Sequence, residues 1–302
     1  MTEQTVSDRN PFIELDENGK PIYQLKLSLV FYLDYPPGPK RARQIYDQYF
    51  ARFGRHIRYF QSTSWLGPPQ EWNSSTQVQF ERQNIEDLQH HDDWGYGFSD
   101  GRSVDNNLFM FHGYKPVSEA GKASFFRFEW PWNWDTNEIV AFARSVADSV
   151  PFLSGTGGYI INPHPFDNYA YARMYALCRR YWGLEAWDLD LTVNFVASGY
   201  KCPNWLTLIG NNLCEQHPER AAGLDAIRGY ADPRSHGVIF QSRIRPEFID
   251  RNRAHSYDGE AAIATALLPL QISYHEDFGG PAWEGKTMDW LYRFSGRQTV
   301  DH

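Results

Sequence analysis

Hydrophobic and polar positions alternate along the chain in patterns that predict strands interleaved with helices. Residues 22–32 read Ile-Tyr-Gln-Leu-Lys-Leu-Ser-Leu-Val-Phe-Tyr, first alternating and then continuously apolar, which predicts a strand that becomes fully buried. Apolar residues at 42, 45, 46, 49, 50 and 53 have helical spacing, and Gly54 follows them as a possible cap. The chain therefore opens with a strand followed by an amphipathic helix.

The same patterns predict further elements as far as the C-terminus. Asp135 or Thr136 is a suitable N-cap for a helix that Pro151 ends, and Asp167 or Asn168 caps the next helix. Strands are predicted over 57–63, 108–113, 123–130, 159–161, 189–197 and 237–244, and helices over 78–88, 136–149, 168–182, 203–215, 261–268 and 289–294. This order predicts an α+β (mixed α/β) fold, with a mixed or antiparallel sheet packed by helices.

One glycine-rich stretch, residues 154–165, separates two similar series of elements. We expect residues 1–20 to be a flexible arm and residues 21–302 to form a single domain of two pseudo-halves, 21–153 and 154–302. The Ser154–Gly158 segment is too short, and too close to apolar residues, to be a flexible tether between separate domains.

Composition narrows the function classes. Aromatic residues make up 16% of the 302 residues, enough to fill a large core and still place rings at a surface, where they favour protein–protein contacts. The formal net charge of -8 argues against nucleic acid as a direct ligand, because phosphate binding needs clustered Lys and Arg.

Three cysteines without a Cys-x-x-Cys pair argue against a disulfide framework or a structural zinc site. The polar N-terminus has no secretory pattern, and no apolar run approaches the roughly 18 residues of a membrane span. We therefore expect a cytoplasmic protein that needs no cofactor or metal and does not contact a membrane.

The glycine-rich stretch has the composition of a phosphate-binding loop. Such loops leave a strand and enter a helix, whereas here a helix precedes Gly155-Thr156-Gly157-Gly158 and a strand follows it. A structural turn that needs positive φ angles is the better interpretation.

Two further groups have metal-capable side chains. His90-His91-Asp92-Asp93 is a poor chelate, because neighbouring residues point in different directions, and an acidic surface loop is expected there. Asp277, Glu284 and Lys286 imitate the spacing of metal-dependent nucleases, but glycines and Pro281 surround them and favour a loop. A nuclease that uses these three residues stays open as an alternative function.

Two acidic residues of the predicted strand 189–197 and its approach are candidate contact residues. Asp188 and Asp190 would share one strand face, and a solvent-facing or partner-facing role explains two like charges better than an acid–base pair. The chain has no Gly-x-Ser-x-Gly and no His-Glu-x-x-His motif, and no catalytic residue is predicted.

Five short motifs occur in order along the chain. They are Pro151-Phe152-x-Ser154-Gly155-x-x-Gly158-Tyr159, Asn204-Trp205-Leu206-Thr207-x-x-Gly210, Gly237-Val238-x-x-Gln241, Pro246-x-x-x-Asp250-x-Asn252-Arg253 and Trp290-Leu291-x-Arg293-Phe294. With them, most of residues 22–295 resembles the DUF3396 family, type VI secretion immunity proteins of the TsiV kind.

The resemblance implies a non-enzymatic antitoxin that binds a cognate secreted antibacterial effector, often a nuclease. It also implies that the motif residues are structural, with glycines for turns, tryptophans for the core and asparagines for backbone hydrogen bonds. These residues are Gly155, Gly158, Tyr159, Asn204, Trp205, Gly210, Asn252, Arg253 and Trp290.

Partner contacts are then expected outside the motifs, on an acidic surface with aromatic residues that covers a basic toxin or blocks its assembly. The candidate toxin-binding residues are Asp87, Asp92, Asp93, Trp94, Asp188 and Asp190. Self-association is possible, and an oligomeric adaptor without a toxin is the other alternative.

Overall fold

A single open sheet forms the centre of the molecule. The computed structural model describes residues 10–63, 68–86, 93–101, 107–164 and 167–296. Within these ranges the sheet has twelve strands, ordered β11-β12-β10-β8-β2-β7-β6-β5-β3-β4, with β1 on β2 and β9 on β8. The strands are β1 Ile13–Leu15, β2 Pro21–Leu33, β3 Tyr59–Ser62, β4 Gln70–Glu71, β5 Asp93–Ser99, β6 Leu108–Tyr114, β7 Ser124–Pro131, β8 Ser154–Pro163, β9 Leu184–Ala186, β10 Leu206–Gly210, β11 Ala231–Arg234 and β12 Gly237–Gln241.

Helices cover both faces of the sheet. They are α1 Pro39–Phe53, α2 Ser74–Glu81, α3 Val117–Ala120, α4 Thr136–Ser149, α5 Asn168–Arg180, α6 Leu189–Thr192, α7 Asn211–Gln216, α8 Asp258–Leu267 and α9 Thr287–Leu291. The β8–β9 pair is parallel and the other strand pairs are antiparallel. The predicted α+β fold with a mixed sheet is confirmed.

The strand β2 is central in the sheet, where it pairs with β7 on one side and with β8 on the other. Its Leu29 and Phe31 face the core beneath α1 and α4, while Val30 and Tyr32 face the core beneath α5 and α6. A strand buried on both faces reads as a continuous apolar run, as this one does.

The core beneath α1 and α4 is largely aromatic. Tyr49 of α1 lies 4.8 Å from the ring of Phe109 and 5.7 Å from that of Phe128, and Phe142 of α4 meets Phe128 edge-on at 4.8 Å. Each such ring buries on the order of 150–250 Å². Most of the aromatic side chains therefore lie in the core rather than at the surface.

The glycine-rich stretch is not a turn, and this prediction was wrong. Residues 154–163 are the extended strand β8, paired along β2 and β10. A Cβ on Gly155 would lie 2.3 Å from the carbonyl oxygen of Val30, and one on Gly158 would lie 2.4 Å from Oδ1 of Asn204. The glycines are needed because neighbouring groups approach the strand too closely for a side chain.

Three other local predictions also differ from the structure. The predicted helix 203–215 is β10 followed by α7, and the predicted strand 189–197 begins with α6. The strand β5 lies partly within residues predicted to form a polar loop. Short apolar runs such as Leu206–Gly210 fit a buried strand or a helix equally well, and pairing with β8 and β12 decides the outcome.

The two predicted pseudo-halves occupy opposite ends of one sheet. Strands from residues 21–153 form the end from β2 to β4, and strands from residues 154–302 form the end from β8 to β11. The grouping into one domain with two halves stays a prediction. In the predicted flexible arm, residues 13–15 form β1 and pair with β2, so this part of the arm is attached to the sheet.

None of the helices in the described ranges has both the length and the apolar character required to cross a bilayer.

Candidate interaction surface

The structure separates the six predicted contact residues. Asp87 and Asp92 lie outside the described residues. Asp93 is the first residue of β5, and only its backbone is described. Trp94 is 4% exposed and packs against Tyr96 and Phe111, with ring centroids 5.7 and 4.6 Å away. The expectation that Trp94 is exposed was wrong, since its ring belongs to the core.

Asp188 and Asp190 do not share a strand face, because they lie at the start of α6. Asp188 is the N-cap, and one of its carboxylate oxygens accepts from the backbone N–H of Leu191 at 3.3 Å. Its other oxygen accepts from the N–H of Gly279 at 3.3 Å. Burial raises the pKa of Asp188. Asp188 therefore ties α6 to the C-terminal segment, and Asp190 is the exposed member of the pair.

The C-terminal segment next to α6 carries exposed acidic and aromatic side chains. Tyr274 is 62% exposed, and its ring rests on Phe195 at 5.5 Å, just after α6. Glu276, Asp277 and Glu284 are exposed in the same segment. We call the set Asp190, Tyr274, Glu276, Asp277 and Glu284 the acidic surface.

The carboxylates of the acidic surface have no ion-pair partner within the described part of the chain. Lys286 is an exposed cation beside them. Negative charge therefore dominates this surface, and its carboxylates can form ion pairs with a basic partner.

A buried histidine supports the acidic surface from beneath. His275 is 3% exposed, its Nε2 lies 3.1 Å from the Thr192 hydroxyl of α6, and its Nδ1 lies 2.6 Å from the Glu276 carbonyl oxygen. Burial lowers the pKa of His275 to about 4. The ring is therefore neutral near pH 7 and does not offset the carboxylates above it.

The nuclease-like spacing of Asp277, Glu284 and Lys286 does not form a metal site. These residues lie in a loop before α9, as predicted, and one carboxylate oxygen of Asp277 accepts from the N–H of Gly285 at 2.7 Å. Across the described ranges, no three or more His, Cys, Asp or Glu side chains are grouped so that they could hold a metal ion. The geometry therefore gives no support to metal-dependent catalysis here.

A buried charge network links β8 and β9 to the segment before β10. Lys201 donates to Glu185 at 3.0 Å, and Thr156 and Asn204 donate to the other oxygen of Glu185 at 2.9 and 2.7 Å. Burial alone would raise the pKa of Glu185, but Lys201 and these hydrogen bonds outweigh it and leave the pKa lowered. The network is fully paired, as a buried charge requires.

The motif residues have structural positions. Asn204 accepts from the N–H of Trp205 at 2.7 Å, and the buried Trp205 donates its indole N–H to the Arg243 carbonyl oxygen at 2.9 Å. A Cβ on Gly210 would lie 1.6 Å from the Phe152 carbonyl oxygen. Close packing and backbone hydrogen bonding account for these three motif residues.

The other motif residues contribute packing or contact one carboxylate. Trp290 is buried, and half-buried Tyr159 packs on Phe248 at 4.9 Å. Asn252 donates its backbone N–H to Asp250 at 3.0 Å, and Arg253 is exposed beside the same carboxylate at 3.8 Å. Arg253, whose side chain is 73% exposed, is thus a motif residue that is open to solvent.

A recess opens on the sheet beside β3, β5 and β6. It has a volume of about 440 Å³ and is lined in part by Gln61 and Thr63, by Gly95 and Gly97 of β5, and by Met110. No sequence pattern predicts this recess, because its shape depends on two glycines from one strand and on side chains from two others. Its described lining carries no carboxylate or guanidinium group.

Comparison with known proteins identifies relatives. A family model named TsiV and described as "Type VI immunity for VRR-NUC" matches residues 41–294. The solved structure of the Pseudomonas aeruginosa T6SS protein PA0821 is similar, with a TM-score of 0.74 and 17% identity, and the match covers 93% of this chain and 85% of that chain. At this identity the likeness shows a shared fold. No curated protein matches the chain.

Proposed function

The chain belongs to the TsiV family of type VI immunity proteins, and from this membership we propose that its acidic surface covers the nucleic-acid-binding surface of a VRR-NUC effector. Neutralising a cognate effector is the function of the family. The match over residues 41–294 is the observation that carries the proposal, because the family is described as immunity for VRR-NUC.

The chemistry of the acidic surface fits such a target. A nuclease holds the phosphate backbone with Lys and Arg side chains, so an inhibitor that presents carboxylates competes for the same groups. Glu276, Asp277 and Glu284 supply these charges without ion-pair partners among the described residues. Complementary charge speeds capture, and the exposed ring of Tyr274 adds apolar area to bury.

The proposed role is binding without catalysis, cofactor or metal. The protein acts in the cytoplasm in this proposal, because the nucleic acid that the effector attacks lies there. A stable complex buries about 1,200–2,000 Å² in total. The acidic surface is the electrostatic centre of such an interface, and residues around it supply the remaining area.

The test is to measure affinity for the purified effector nuclease domain and survival of cells that produce both proteins. The variant Glu276→Lys/Glu284→Lys reverses two charges on the acidic surface. Glu17→Lys/Glu215→Lys makes the same charge change at two exposed positions elsewhere. We expect the first pair to weaken binding by at least about tenfold and to lower survival, because like charges across an interface are costly.

The control pair should bind within about twofold of the wild type, because neither position belongs to the acidic surface. Equal affinities for both double variants would place the interface elsewhere on the molecule.

The mode of neutralisation needs a separate measurement. Covering the nucleic-acid-binding surface predicts that the effector loses DNA binding in the complex, as measured with a catalytically inactive nuclease domain. A complex that still binds DNA normally would instead favour blocked assembly of the toxin. A neighbouring gene product that is harmless when produced alone would favour the adaptor alternative.

A further inference from the structure

A basic surface lies at the far end of α5 from the acidic surface. Arg179, Arg245 and Arg251 are exposed there and have no ion-pair partner among the described residues. Ile244, which is 83% exposed, and Tyr257, which is 39% exposed, lie on neighbouring segments. We call these five residues the basic surface.

The loop that carries the basic surface is held in a fixed shape. The buried carboxylate of Asp250 accepts from the Arg180 guanidinium at 3.0 Å and from the backbone N–H of Asn252 at 3.0 Å. Between them, the guanidinium of Arg251 lies over the ring of Trp182, 4.8 Å from its centroid. An arginine that is already placed loses little entropy when it binds a partner.

The same loop contains backbone strain. Ile249 has a φ of +54°, which a β-branched residue rarely adopts. It is buried against Ala264 and Phe294, so packing holds it in this conformation. Strain of this kind persists where the surrounding structure enforces it, and it is concentrated at functional sites.

The residue types indicate a protein partner with carboxylates. Arginine, tyrosine and tryptophan are enriched at protein interfaces, and an isoleucine that is 83% exposed adds area that a phosphate backbone would not cover. The net charge of -8 also opposes nucleic acid. The partner should therefore present acidic groups around an apolar side chain.

This chain presents such a surface itself. The acidic surface combines unpaired carboxylates with Tyr274, and it lies beside the first turn of α5, where burial and the nearby Asp188 and Asp190 raise the pKa of Tyr171. Arg180 marks the other end of the helix, about 14 Å further along its axis. No ion pair in the described ranges joins the two surfaces within one chain.

We propose that the acidic surface of one copy docks on the basic surface of a second copy. The contact is head-to-tail, since it uses a different patch on each copy, and such contacts close into rings or continue into chains. Exposed ion pairs contribute little each, so the assembly should be weak and sensitive to salt.

This self-contact occupies the surface that the effector is proposed to use. If the proposed function holds, the effector displaces the second copy and takes its place. The self-contact itself can be tested without any effector, so its failure would leave the proposed function standing.

Sedimentation velocity over a wide range of protein concentration tests the proposal. At about 0.05 M salt we expect the mean mass to rise with concentration, and at about 0.5 M salt we expect a monomer. Arg245→Glu/Arg251→Glu and Glu276→Lys/Glu284→Lys should each be monomeric, because each leaves two surfaces of the same sign. Arg55→Glu/Arg228→Glu changes charge at exposed positions elsewhere and should assemble like the wild type.

Mixing the two monomeric variants gives the decisive result. Each variant retains one native surface and carries one reversed surface, so an equimolar mixture restores opposite charges at both contacts and should assemble. Far-UV circular dichroism and thermal unfolding establish that both variants are folded. Wild-type protein that stays monomeric throughout, or a mixture that does not assemble, overturns the proposal. Monomeric protein that binds DNA through Arg245 and Arg251 would overturn it in favour of a nucleic-acid site.

Discussion

Two features restrict position 158 to glycine, namely a φ of +158° and one closely approaching atom. The glycines within residues 155–158 predicted a turn, because glycine readily adopts the positive φ angles that many turns need. The structure shows close approach instead, because Oδ1 of Asn204 occupies the place of a Cβ on Gly158. That atom comes from a segment more than forty residues away, so no local pattern could reveal it.

Gly158→Ala should therefore destabilise the fold. The new methyl group would push Asn204 away from Trp205 and Glu185, and we expect a loss of about 1–3 kcal/mol in the free energy of unfolding. Gly229→Ala is the control, because a Cβ there meets nothing within 4 Å. Urea unfolding measures both. Equal stabilities for the two variants would mean that Asn204 shifts without loss.

Aromatic exposure was also hard to predict at single residues. Trp94 alternates with Tyr96 and Phe98, a period-two pattern that indicates a buried strand face and could have excluded Trp94 as a contact residue. Tyr274 lies in an irregular segment without periodicity, and its exposure depends on where Phe195 packs. The first error was avoidable from the sequence, whereas the second residue could only be found in the structure.

Among the elements, length and periodicity separate correct predictions from wrong ones. The strand β2 and the helices α1 and α4 each cover thirteen or more residues, and their patterns identified them within about two residues. The strand β10 and the helix α6 have five and four residues. Such short segments take their structure from pairing and capping, here by β8 and Asp188, rather than from their own pattern.

The packing of α6 against the C-terminal segment should depend on pH through His275. Its pKa is lowered to about 4 by burial, whereas an unfolded histidine titrates near about 6.5. Between these values the unfolded chain binds a proton that the native protein does not. This contribution to stability is therefore complete above about pH 6.5 and is lost as the pH falls toward about 4, by up to about 3 kcal/mol.

His275→Gln removes the titrating group and should flatten this part of the stability profile. Urea unfolding at about pH 7 and about pH 4.5 measures the change, and the half-exposed His217→Gln serves as the control. Parallel profiles for wild type and His275→Gln would show that another group governs the acid sensitivity.

At the scale of the whole molecule, the acidic surface combines residues far apart in the sequence. Asp190 and Tyr274 are brought together by the contact of Phe195 with Tyr274 and by the hydrogen bond from Gly279 to Asp188. The sequence identified Asp188 and Asp190 as candidate contact residues, and it favoured a loop for Asp277 and Glu284 while leaving a nuclease site there open as an alternative. It could not show that these four lie on neighbouring segments, because that requires the packing of α6 against the chain before α9.

The net charge of -8 and the acidic surface together should make capture of a basic effector sensitive to salt. Charges act over about 10 Å at 0.1 M ionic strength, so added salt should slow association much more than it speeds dissociation. Surface plasmon resonance at several salt concentrations separates the two rates.

In Glu276→Lys/Glu284→Lys the association rate should fall and its salt dependence should flatten, because the steering charge at the contact is gone. Tyr274→Ala leaves the charge unchanged and removes buried apolar area, so it should raise the dissociation rate instead. If Glu17→Lys/Glu215→Lys flattens the salt dependence equally, net charge alone governs capture and the acidic surface has no special part in it.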